Sequence, residues 1–298
     1  MADTLVKAIS SCGHFRAVAA ITTDLVEELR KVHHASAVAT AALGRAVTGA
    51  VLLASDLKDD ERVMIQVLGD GPIKEIYVEA DPKGRARGYV GDPNVDLPIK
   101  DGKIPVGEAV GKSGTFTVVK DLGLREPYKG VVPITSGELG KDLAYYLTVS
   151  EQVPSAVAVG VYLERDLTVG AAGGYLVQTL PGATEEEIGI IEKNIMEMAV
   201  PTELIRGGVT PKEVILKVME GLEMKFLGEQ QLMFHCPCSR ERVSEALIAL
   251  GTEDLEGMVK KGEKQEVMCE FCRKVYCFDT DDIRAHLKEA VRRGESKI

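Results

Sequence analysis

A chain of 298 residues, 45% hydrophobic and without tryptophan, is long enough for one large core and one or two smaller units. Its net charge of −10 argues against a general nucleic-acid binder, whose footprint would be basic. No apolar run reaches the length expected of a membrane span, and Met1-Ala2-Asp3-Thr4 lacks the features of a signal peptide, so a cytoplasmic, reducing setting is expected.

Residues 3–22 read as two short strands, 5–9 and 17–21, turning at Gly13. Cys12, in that turn, is expected to be a buried thiol. Thr23-Asp24 can cap a helix with Glu27 in its first turn. Residues 25 to 55 are rich in Ala, Leu and Val and predict a buried central helix, with a break near His33-His34 or at Gly44. Neither histidine has a cysteine or carboxylate motif at ligand spacing, so both read as ordinary helix residues.

Residues 62–68, 73–80 and 85–90 alternate as strands of an antiparallel meander, with turns at Gly69-Asp70-Gly71-Pro72 and Asp81-Pro82-Lys83-Gly84. Residues 92–107 form a loop rich in Pro and Gly. Residues 115–120 and 131–134 continue the sheet, and 138–149 read as a helix with Leu139, Leu143, Tyr146 and Leu147 on one side. Next comes a hairpin, 156–163 and 168–178, whose second strand is glycine-rich and so permits a bulge or a close backbone approach. Leu180-Pro181-Gly182 ends this part.

Gly107-Glu108-Ala109-Val110-Gly111-Lys112-Ser113 falls one residue short of a phosphate-binding loop, with Val106 where the first glycine is needed. The residues after Ser113 read as a strand, not the helix such a loop requires, so ATP binding there is rejected. No other stretch specifies a catalytic acid and base.

The texture then changes. Thr184-Glu185-Glu186-Glu187 is a capping box, after which Ile188, Ile191, Ile195 and Met198 recur at helical spacing. Thr210-Pro211-Lys212-Glu213 opens a second helix, with Pro211 tolerated at its first position and Val214, Ile215, Val218 and Leu222 along one face. Residues 183–222 are therefore a helical connector whose apolar face must be covered.

Five of the six cysteines lie between positions 236 and 277. Cys236-Pro237-Cys238 and Cys269-Glu270-Phe271-Cys272 are two close pairs separated by residues 239–268. That is the pattern of a four-thiolate site, and paired turns favour zinc over an iron–sulfur cluster. Arg240, Arg242, Arg273 and Lys274 lie near the pairs, and positive charge favours reactive thiolate. Two readings stay open: a structural zinc clip, and a redox switch in which neighbouring cysteines form local disulfides and the metal is lost. His235 adjoins the first pair as a candidate substitute ligand, and Cys277 reads as a small buried residue. The segment 239–298 has twelve basic and thirteen acidic residues, so it lacks the basic excess of a nucleic-acid-binding ribbon.

The whole chain resembles the bacterial redox-regulated holdase chaperones, the 33 kDa heat-shock protein family. The resemblance is carried by Gly173-Gly174-Tyr175-Leu176-Val177-Gln178, the connector, and the Cys-x-Cys and Cys-x-x-Cys pairs. It implies an α+β fold: an N-terminal antiparallel-sheet domain with a buried central helix (1–180), a helical linker (181–222) and a small C-terminal zinc-binding redox-switch domain (223–298). It implies one zinc per chain on Cys236, Cys238, Cys269 and Cys272 in the reduced, inactive form. Oxidation would then give the disulfides Cys236–Cys238 and Cys269–Cys272, releasing zinc and activating an ATP-independent holdase, often dimeric, for unfolding client proteins under oxidative or heat stress. Nucleic acid and membrane are not expected as partners. Cys12 and Cys277 lie outside the motif. Of the implied disulfides, Cys269–Cys272 is expected to form first, since the other ring is shorter and constrained at Pro237. The rival readings are a zinc-ribbon adaptor for a folded partner or RNA that never switches, and a thiol oxidoreductase, which would need Cys-x-x-Cys to open a helix.

Overall fold

The computed structural model describes residues 2–100 and 102–295 and divides into two compact units, 1–235 and 236–298. The first contains β1 (Thr4–Ser10), β2 (Phe15–Ile21), α1 (Thr23–His33), α2 (Ala37–Ala54), β3 (Arg62–Gly69), β4 (Glu75–Ala80), β5 (Arg85–Val90), α3 (Val106–Val110), β6 (Gly114–Asp121), β7 (Tyr128–Pro133), α4 (Leu139–Val149), β8 (Ser155–Leu163) and β9 (Val169–Thr179). It continues through α5 (Glu185–Glu197), α6 (Pro201–Arg206), α7 (Pro211–Val218), β10 (Met224–Gln231) and β11 (Met233–Phe234).

Two sheets organise this unit. The meander forms a six-stranded sheet in the order β11-β5-β4-β3-β6-β7, antiparallel except where the short β11 runs parallel to β5. The first hairpin and the glycine-rich hairpin join in a five-stranded antiparallel sheet, β10-β1-β2-β9-β8. Alternate residues of its central strands serve two cores, because successive side chains on a strand point to opposite faces. Leu5, Val18 and Ala20 face a core shared with α2 and the meander's Val63, Ile65 and Val67. Val6, Ala8, Ala17 and Ala19 face the other side, where Val214, Ile215 and Val218 of α7 and Ile191 of α5 cover them. Gly173 in β9 permits a close approach here: a Cβ would lie 2.5 Å from Ile205 Cδ1 and 2.4 Å from the Ala20 carbonyl oxygen.

The central apolar run breaks at its histidines and not at Gly44. His34 takes a left-handed conformation (φ 50°) that caps α1, and the Ser36 side chain accepts the Ala39 amide to start α2. At 18 residues, α2 is long and apolar enough by composition to cross a membrane, which revises the expectation that no run reaches that length; 89% of it is buried inside this unit. Nor do Thr23 and Asp24 cap α1: Thr22 is the capping residue without a side-chain bond, and the Asp3 carboxylate accepts the Asp24 and Leu25 amides at 3.1 and 2.7 Å.

The boundary expected at residue 223 falls instead after His235. Residues 224–231 pair along the whole of β1, from Thr4–Gln231 to Ser10–Met224, and so belong to the first unit. The connector likewise packs as part of that unit, with an additional short helix, α6, begun by Pro201.

The second unit has α8 (Arg240–Ala249), α9 (Thr252–Lys261), the antiparallel hairpin β12 (Gln265–Met268) and β13 (Val275–Phe278), and α10 (Thr280–Glu295). Its core is small: Leu247, Leu255, Tyr276, Phe278, Ile283 and Ala290. A core of that size supplies little hydrophobic stabilisation, so a cross-link of some kind is expected to contribute.

Candidate metal centre of four cysteines

The two cysteine pairs reach one another from separate elements of the second unit. The first pair immediately precedes α8, whose N-cap residue, Ser239, accepts the Arg242 amide at 3.3 Å. The second pair occupies the turn between β12 and β13. There the Cys269 amide donates to the Lys274 carbonyl oxygen at 3.0 Å and the Arg273 amide to the Cys269 carbonyl oxygen at 2.8 Å, with Arg273 at φ 57°. This turn does not open a helix, so the oxidoreductase arrangement is absent from it.

All four sulfurs lie within 4.8 Å of one another. Cys236 Sγ is 3.7 Å from Cys269 Sγ, and Cys238 Sγ is 3.3 Å from Cys272 Sγ. For a tetrahedral ion with zinc–sulfur bonds, sulfur–sulfur edges of about 3.8 Å follow from the bond length. The donor set therefore fits. Its electrostatics also call for a cation, because four thiolates at such separations cannot all ionise unaided. Burial pushes the Cys238 thiol up, but hydrogen bonding from the Tyr276 hydroxyl and the neighbouring sulfurs outweighs it and brings the thiol down to about 7. Burial pushes Cys272 the other way, well above the usual thiol range, and the neighbouring sulfurs add to that rise.

Arg273 pairs with Glu270 at 2.8 Å, and Arg240 pairs with Asp282 at 2.7 Å while donating to the Cys277 carbonyl oxygen. His235 is outside the cluster; its amide donates to the Ala86 carbonyl oxygen in the first unit. Cys277 is only partly buried, with its thiol 3.8 Å from Glu266 Oε1, and it too stands apart from the four. Cys12 is exposed rather than buried, because it sits at the tip of the β1–β2 turn. Its neighbours include Glu187, far away in sequence, and no local spacing signalled that meeting. Residues 107–113 contribute to the short α3 and lead into strand β6, so the phosphate-loop geometry is not formed.

The connector's two capping boxes are both present, at Thr184 with Glu187 and at Thr210 with Glu213. Asn194 ties α5 to the end of α7 by donating to the Val218 and Glu220 carbonyl oxygens at 3.0 and 2.8 Å. The apolar face so held lies on the five-stranded sheet.

Comparison with known proteins agrees with this architecture. The model of the Hsp33 protein family matches residues 3–279. This chain belongs to the Hsp33 family. The 33 kDa chaperonin of Desulforamulus reducens is 46% identical over 97% of this chain and 98% of that protein. The 33 kDa chaperonin of Aquifex aeolicus is 42% identical over 99% of this chain and 92% of its own length. Among solved structures, the 33 kDa chaperonin of Thermotoga maritima, a heat shock protein 33 homologue, superposes with a TM-score of 0.90 at 35% identity, covering 98% of this chain and 100% of that one. The Hsp33 family is one of chaperones and not of enzymes, in keeping with the lack of a catalytic constellation in the sequence.

Proposed function

We propose that this Hsp33 family member is a redox-regulated, ATP-independent holdase. The convergence of Cys236, Cys238, Cys269 and Cys272 within 4.8 Å carries the reading. In the reduced protein these four thiolates hold one zinc ion, which supplies the cross-link that the small core of the second unit lacks. Metal binding of this kind contributes on the order of 10 kcal/mol or more to folding in zinc peptides.

Oxidation converts that contribution into a signal. The two thiolates of a pair lose two electrons to a peroxide and form one sulfur–sulfur bond; the peroxide takes up two protons and leaves as water. A pair joined this way has lost its ligand character, so the second unit loses its cross-link and loosens. The disulfides are Cys236–Cys238 and Cys269–Cys272. Residues 181–222 act as a separable linker, whose helices uncover Ile, Val and Met side chains when they leave the sheet. Apolar surface of that kind binds unfolded chains, and Met adapts to clients without fixed shape. The oxidised form is a homodimer, and the protein works in the cytoplasm on unfolding proteins under oxidative or heat stress, without nucleic acid or membrane as a partner.

The test is suppression of aggregation of an unfolding reference protein, with no nucleotide present. The peroxide-treated protein is expected to suppress it and the reduced zinc-loaded protein to do so poorly. Equal activity in both forms, or a need for ATP, overturns the proposal.

A further inference from the structure

A second group of metal-ligating side chains lies in the first unit. Gly13, in the left-handed region at φ 80°, turns the chain tightly between β1 and β2 and sets Cys12 and His14 on the same side. Glu187, in the first turn of α5, comes to meet them. His14 Nδ1 lies 3.2 Å from Glu187 Oε1 and 2.9 Å from Oε2, and Cys12 Sγ lies 3.6 Å from Oε1. The three donor atoms are within 4.8 Å of one another.

We propose that Cys12, His14 and Glu187 form a second zinc site, open to solvent, that fastens the β1–β2 turn to the first helix of the connector. Sulfur, imidazole nitrogen and carboxylate oxygen are all established zinc donors, and three protein ligands leave a fourth position for water. Tetrahedral coordination through Oε1 sets nitrogen–oxygen and sulfur–oxygen edges of about 3.3 and 3.5 Å. The observed 3.2 and 3.6 Å lie close to these two edges. Glu187 can bind through Oε1 and keep its capping role, because Oε2 accepts the Thr184 amide at 2.9 Å. Gly182 leaves room for the His14 ring, since a Cβ there would lie 3.0 Å from Nε2. Ser10 Oγ, 3.2 Å from Cys12 Sγ, gives the sulfur a further polar neighbour.

A nucleophilic triad does not explain the arrangement. There the histidine stands between thiol and carboxylate, using a different ring nitrogen for each. Here the carboxylate takes Nδ1 and approaches the thiol as well, so all three donors converge on one point. An ordinary His14–Glu187 ion pair would account for two of the residues but not for the thiol.

The site is independent of the redox reading, and its test can fail without affecting that reading. Full-length reduced protein with the four-cysteine centre filled is dialysed against zinc, and bound metal is counted. A second equivalent is expected. It should be lost, or weakened at least about tenfold, in Cys12→Ser and in His14→Gln, and retained in Cys277→Ser. Zinc should slow alkylation of Cys12 and raise hydrogen-exchange protection at residues 184–190 in the parent protein, but not in Cys12→Ser. Cys12 is exposed, so its serine variant should keep the fold, which its exchange pattern without added zinc verifies. Absence of a second equivalent, or a second equivalent indifferent to Cys12→Ser, overturns the site.

Discussion

The phenol of Tyr276 donates a hydrogen bond to Cys238 Sγ across 3.1 Å. Tyr276 is also a buried member of the second unit's small core, so one side chain both packs that core and supports a proposed ligand. Groups that hydrogen-bond a metal ligand hold it in place and tune its basicity. Tyr276→Phe preserves the ring and removes the donor. Zinc affinity is expected to fall by about tenfold, measured by competition with a chromogenic chelator. Unchanged affinity would show that the phenol serves packing alone.

Removing a ligand should do more. Cys269→Ser leaves three sulfurs, and the zinc equivalent held by the four-cysteine centre should be largely lost. Amide exchange across 236–298 should quicken, while residues 4–21 in the first unit should keep their protection. Full zinc retention in this variant would remove Cys269 from the ligand set.

The first disulfide formed after a peroxide pulse is expected to be Cys269–Cys272, because closing a ring across Pro237 between Cys236 and Cys238 carries more strain. Sulfurs also come close between the pairs, Cys238 with Cys272 at 3.3 Å, so a crossed disulfide is a competing product. Timed alkylation and mass spectrometry separate the three species. Early appearance of Cys236–Cys238, or accumulation of Cys238–Cys272, would contradict the order.

Gly44 allows α2 to pass close to its neighbours: a Cβ would lie 2.6 Å from Val161 Cγ2 and 2.7 Å from Val26 Cγ1. Overpacking a dense core costs about 1–3 kcal/mol. Gly44→Ala is expected to destabilise the first unit within that range, despite alanine's better helix propensity, as read by urea denaturation. A stabilised variant would mean that the valines have room to move.

Burial raises the Asp3 carboxyl from its ordinary 3.8 to about 6, against the lowering effect of the Leu25 and Asp24 amides. Between those values the folded state holds a proton that the unfolded chain has released. The carboxyl's contribution to stability is therefore full below about pH 3.8 and is lost as pH rises through about 6. Asp3→Asn should flatten that part of the pH–stability profile. Carbon-detected NMR of Asp3 titrating in the ordinary carboxylate range would refute it.

Sequence by itself determined the features that depend on neighbours a few positions away. The capping boxes at Thr184 and Thr210 formed as read because their bonds span three residues. The meander strands kept their period-two alternation, and the two cysteine pairs carried their spacing into one cluster. Tertiary structure decided the rest. Residues 224–231 carry no strong strand signal, and only hydrogen bonding to β1 makes them an edge strand and moves the boundary of the second unit to Cys236. Asp3 rather than Thr23 serves the start of α1 because the chain returns there after β2. Cys12 and Glu187 meet because α5 packs beside the β1–β2 turn. Local patterns fix torsions and faces, whereas which faces meet depends on burying apolar surface over the whole chain, and that is settled only once the core has formed.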